Sequence, residues 1–117
     1  MIKIKRLFRS FQYASRGLAK VIKEEQNFKV ELIFAVLVLG VAMFLKVGYL
    51  DLVALILVIS LVLVMEIVNS AIEAVSDALK PKLDIYVKQI KDIVAAGVMV
   101  AAITAVLVGL IIFSKYI

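Results

Sequence analysis

The sequence predicts an all-α integral membrane protein, with an N-terminal amphipathic surface helix followed by three helices that cross the bilayer. Three observations predict it. Hydrophobic residues make up 65% of the 117 residues and the mean hydropathy is +1.13, far above the composition of a soluble domain. The first residues place apolar side chains at helical spacing among basic ones. Beyond them lie three apolar runs of about the length that spans hydrocarbon. The chain has room for one domain, residues 1–117, with no internal repeat or low-complexity tract. Its first 29 residues hold no continuous apolar core, so no cleavable signal peptide is expected.

The surface helix is placed at residues 1–28. Ile4, Leu7, Phe8, Phe11, Ala14, Leu18, Val21 and Ile22 follow i, i+3, i+4, i+7 spacing. Lys3, Lys5, Arg6, Arg9, Arg16, Lys20 and Lys23 fall largely off that stripe, the pattern of a helix lying on a membrane surface. The first span is placed at about residues 30–46, with Glu31 at its entrance and Lys46 at its exit. It sits at the short edge of the roughly 17–25 residues of a spanning helix. A tight turn follows, with Gly48 as its breaker. The second helix is placed at residues 52–79, because nothing interrupts it before Pro81. It is long enough to cross and protrude. The third covers residues 93–113, ~31 Å at 1.5 Å per residue, and Thr104 is its one clearly polar member.

Topology follows from the cations. Of 14 Lys and Arg, eight lie in residues 1–29 and four in residues 80–92. The positive-inside rule therefore places the N-terminus and the 80–92 loop in the cytoplasm and the C-terminus outside, in a multi-pass protein of the cell membrane. The net charge of +5 sits beside apolar spans, so anionic lipid is the nearer partner and no nucleic-acid role is expected. The chain has neither Cys nor His, which removes disulfides, thiolate and imidazole ligands, and a His base. A metal here is held by oxygen, with Mg²⁺ the default.

The stretch "MEIVNSAIEAVSD", residues 65–77, concentrates the chemistry. At ~100° per residue, Glu66, Asn69, Glu73 and Asp77 project from one narrow face, which Ser70 widens. Measured from Leu52, Glu66 lies roughly 21 Å deep, within the hydrocarbon, and Glu73 roughly 31 Å along, at the interface. An acidic group at the centre of a spanning helix costs about 2.5–3.5 kcal/mol to insert. Hydrogen-bonding glue between helices needs one or two polar groups, not a graded file from core to interface. A carboxylate desolvated by lipid suits a general base, and carboxylates at the interface suit Mg²⁺ beside a nucleotide phosphate. Together they describe phosphoryl transfer to a hydroxyl at membrane depth. None of the five glycines forms a Walker or kinase loop, which excludes a soluble-kinase fold. Two further clusters, "KEEQNFKVE" with Glu24 and Glu25 and "KQIKD" with Lys91 and Asp92, are expected at the level of Glu73. The rival reading is a non-enzymatic membrane subunit whose Glu66 and Asn69 line a polar pathway. Its file would have to continue outward, where the same face offers Val62, Ile59 and Leu55.

These residues resemble a known family. "EIVNSAIEAVSD", preceded by "EEQNF" and followed by "KQIKDIVAAGV", is similar to the small prokaryotic diacylglycerol kinase and undecaprenol kinase family, over nearly the whole chain. The resemblance implies a homotrimer that transfers the γ-phosphate of ATP to a lipid alcohol using Mg²⁺. It implies Glu66 as catalytic base with Asn69 beside it, and Glu25 and Glu73 as Mg²⁺ ligands. Arg6, Tyr13, Lys91 and Asp92 match positions that contact the nucleotide, with Lys82, Leu83 and Asp84 close to the adenosine. The lipid is implied near Ser10, Phe11, Ala14, Ser15, Phe28 and Glu31, with its hydroxyl at Glu66. Two features depart from the Gram-negative members. Lys80-Pro81-Lys82 makes a more basic loop, and "NFK" with no Trp looks more like Gram-positive members that prefer undecaprenol.

Overall fold

A computed structural model of the chain describes residues 1–79 and 84–117. It consists of four helices, α1 (Ile4–Glu24), α2 (Gln26–Phe44), α3 (Tyr49–Leu79) and α4 (Asp84–Ser114). The last three are long and apolar enough to cross a membrane. Only 11–17% of each apolar window is buried inside the protein, so the outer surface is itself hydrocarbon and needs lipid around it.

The boundaries differ from the expected ones at three places. The surface helix stops at Glu24, and α2 begins at Gln26 after one extended residue, Glu25, at φ −99° and ψ 109°. No Gly or Pro stands there. The chain breaks because α1 leaves the direction of the spanning helices, which no local propensity encodes. α3 starts at Tyr49, one turn before Leu52. α4 starts at Asp84, nine residues before the apolar run at Ile93, because hydropathy marks only the part of a helix that lies in lipid.

α3 runs between α2 and α4, and packs more extensively on α4. The tightest packing lies at the α2–α3 turn, where Ala42, Leu55 and Ile112 are buried and Val38, Leu52, Val108 and Phe113 close around them. A polar knot covers this core. The Lys115 ammonium donates to both oxygens of Asp51 at 2.9 and 3.0 Å, Tyr116 Oη donates to Asp51 Oδ2 at 2.7 Å, and the Gly48 amide donates to Tyr116 Oη at 2.9 Å. The hydrogen bonds to Asp51 push the Lys115 ammonium above its usual range.

The turn itself ends α2 in a Schellman motif. The Lys46 amide donates to the Met43 carbonyl and the Val47 amide to the Ala42 carbonyl, both at 3.2 Å. The left-handed position is taken by Lys46, at φ 54°, and not by Gly48, whose amide serves the knot instead. A lysine there carries the Cβ penalty that glycine avoids. Lys46→Gly is expected to stabilise the protein by roughly 0.5–1 kcal/mol, read as a higher melting temperature in detergent. An unchanged or lower melting temperature would count against the strain at this position.

Candidate active site

The site is built on the inward face of α3, at the end of the bundle that carries α1. Glu66 is 6% exposed, although it is a carboxylate in the middle of an apolar helix. Glu25, Glu31 and Glu73 all lie in the neighbourhood of Glu66, with Glu31 facing it from α2. Four carboxyl groups from three places in the chain therefore share one neighbourhood. The break at Glu25 brings the first of them in, and α2 carries Glu31 less than two turns further on.

Among the described residues no cation pairs with them. Among the described residues the one ion pair is Lys115 with Asp51, at the opposite end. Among the described residues, Glu31 Oε2 is buried with no donor in reach. The Ser70 hydroxyl is likewise buried without a partner, whereas Ser10, Thr104 and Ser114 each turn back onto a carbonyl of their own helix at 2.7–3.1 Å. Ser70 lies one turn from both Glu66 and Glu73 on the same helix. Buried polar atoms left without partners cost about 1–3 kcal/mol each. Two such atoms beside the carboxylate file make this neighbourhood the candidate for a bound ligand.

Other expected site residues fall around this centre. Asn69 and Glu73 are half-buried on the same face, and Asp77 is exposed beyond them. Lys91 is half-buried on α4, and its neighbour Asp92 is exposed. Arg6, Ser10, Phe11, Tyr13, Ala14 and Ser15 are exposed on α1, not drawn in to Glu66. Phe28 is 2% exposed and packs as core. Lys82 and Leu83 lie outside the described residues, as does the side chain of Asp84. Gly97 brings α4 close beside the site, since a Cβ there would stand 2.6 Å from the Met65 methyl group. Ala95 and Ala96 face outward.

An apolar groove of about 760 Å³ leads from Glu31 along the bundle. α3 forms its floor with Leu55, Ile59 and Val62, and its far end reaches Phe113 and Ile117. The face above Glu66 is thus hydrocarbon, and a polar pathway finds no continuation there. Residues 12–113 match the family described as prokaryotic diacylglycerol kinase. The chain belongs to that family. It is therefore a lipid kinase, embedded in a membrane. The undecaprenol kinase of Bacillus subtilis (strain 168) is 30% identical to this kinase over 110 residues, 94% of this chain and 89% of its own. The diacylglycerol kinase of Escherichia coli (strain K12) is 33% identical over 102 residues, covering 87% of this chain and 84% of its own. That of Synechocystis sp. is also 33% identical, over 86% of this chain and 58% of its own.

The candidate site suits a divalent cation bound together with a substrate. Among the described residues no three carboxylates close on one point as a metal cage. Mg²⁺ does not ask for one, since it is usually held by one or two carboxylates plus phosphate oxygens and water. Glu25 and Glu73, both half-buried and free of any Lys or Arg partner among the described residues, are such a pair. Sequence reasoning missed the unpaired Ser70 hydroxyl. Its position in the file was visible, but not its lack of a backbone partner.

Proposed function

We propose that this kinase transfers the γ-phosphate of ATP to the hydroxyl of a membrane lipid alcohol, undecaprenol or diacylglycerol, with Glu66 as general base. The observation that carries it is Glu66 itself, a buried carboxylate at mid-span among three others, one of which, Glu31, stands at the mouth of a groove lined with hydrocarbon. The groove suits the tail of a lipid whose hydroxyl reaches Glu66. Glu66 takes the hydroxyl proton as that oxygen forms its bond to the γ-phosphorus, and the bond to the bridging oxygen of ADP breaks. Asn69, one turn along, orients the base and the hydroxyl. Glu25 and Glu73 hold Mg²⁺, which when bound offsets the negative charge of the phosphates. Lys91, and Arg6 with Tyr13 from α1, contact the nucleotide. Burial keeps water from competing as acceptor.

In this reading the protein lies in the cell membrane with α1 and residues 80–92 on the cytoplasmic side, where ATP is, and the C-terminus outside. It works as a homotrimer, and the outward-facing Ala95 and Ala96 give a neighbouring helix close approach. The test is Mg²⁺-dependent transfer from labelled ATP to undecaprenol and diacylglycerol, assayed side by side on purified protein. Transfer to one lipid names the acceptor. Transfer to neither, from a folded sample, sinks the proposal.

A further inference from the structure

α1 carries a surface that the phosphoryl-transfer site does not use. At ~100° per residue, Lys5, Arg9, Arg16, Lys20 and Lys23 fall within roughly 60° of arc, and all five are exposed. Ile4, Leu7, Phe11, Leu18 and Ile22 fill a stripe of similar width on the opposite side. Arg6 and Tyr13 lie on the flank between. None of the five cations has a carboxylate partner among the described residues. The Arg16 guanidinium stands over the Tyr13 ring, 5.9 Å from its centre.

Among the described residues little holds this helix along most of its length. α1 has no buried residue, and only Val21 and Ile22, near its end, are half-buried. Leu7 and Phe11 are 55% and 67% exposed. With its apolar stripe sunk about 5–10 Å into the headgroup boundary, a helix ~10–12 Å across holds its cationic side at headgroup level. That is within the ~8 Å over which lipid charge is felt.

We infer that α1 is a docking surface for anionic lipid headgroups, and that the negative charge of the leaflet sets how deeply α1 lies. The apolar stripe alone would seat it loosely, and the five cations add attraction that a zwitterionic membrane does not return. Because α1 carries Arg6 and Tyr13, leaflet charge also assembles the nucleotide site. That last step rests on the proposed function, while the docking does not.

The test uses the full-length protein with a nitroxide on Leu18→Cys, the only thiol in a chain without cysteine. It is reconstituted in phosphatidylcholine vesicles with and without phosphatidylglycerol at about one third of the lipid. Anionic lipid is expected to raise the immersed population of the label on the order of ten-fold or more, and about 1 M salt to reverse it. Exchanging the five cations for Gln should remove the response. A second variant, Arg9→Lys with Arg16→Lys, should keep it, which shows that charge and not a disturbed helix is responsible. Equal immersion in both vesicles, or an intact response in the Gln variant, overturns the docking. The MgATP KM is read on the same samples. A KM indifferent to lipid charge, with immersion responding, leaves the docking standing and removes α1 from the nucleotide site. A higher KM in the Gln variant with equal immersion in both lipids assigns the cations to attracting ATP instead, and overturns the docking.

Discussion

Replacing Glu66 with glutamine is expected to lower turnover by about 10²–10⁴-fold, the contribution of a positioned general base, while the fold survives. The amide has nearly the same size, and it removes a carboxylate whose burial in an apolar helix is unfavourable. The site holds no cation that the change would strand, since none pairs with Glu66 among the described residues. Two readouts separate catalysis from folding. Single-turnover transfer should fall, and the melting temperature in detergent should hold or rise. Near-normal transfer would end the assignment of Glu66 as base. A sharp loss of stability would make it a structural group instead.

Glu73→Gln is the second large effect. With one of two carboxylates neutralised, the Mg²⁺ concentration for half-maximal activity is expected to rise on the order of ten-fold or more, since affinity at oxygen sites follows ligand charge. Glu25→Gln should act in the same direction. In the proposed site both carboxylates serve one ion, so the double variant should lose less than the product of the single losses. The discriminating measurement is a Mg²⁺ titration of activity at saturating lipid. An unchanged midpoint with lower maximal activity would place Glu73 on the nucleotide or the base, not on the metal.

Much of this was legible from residue spacing. The file from Glu66 to Asp77 is set by helical geometry alone, and its burial at Glu66 and exposure at Asp77 follow the expected gradient from core to interface. Other features depend on contacts between distant segments. Glu31 stood in the sequence as the entrance of a span, and its approach to Glu66 arises only because α2 packs against α3. The break at Glu25 has no local signal, being imposed by the direction α1 takes. The left-handed Lys46 ran against the usual choice of glycine, two residues before the glycine that was present. The knot of Asp51, Lys115 and Tyr116 also had a readable sign. Two opposite charges stand at the ends of two apolar runs that meet on one side of the membrane once the topology is drawn.

That knot gives the bundle a mechanical character. Two long helices fastened at one end and packed together from there can turn about that end, and the candidate site sits far out along one of them. From Asp51 to Glu66 is ~22 Å of helix and to Glu73 ~33 Å, so each degree of play at the pivot displaces them by about 0.4 and 0.6 Å. A misplacement of about 1 Å is enough to cost some 10²-fold in rate. Two or three degrees of slack in three side chains at the remote end is thus the machining tolerance of the proposed phosphoryl-transfer site.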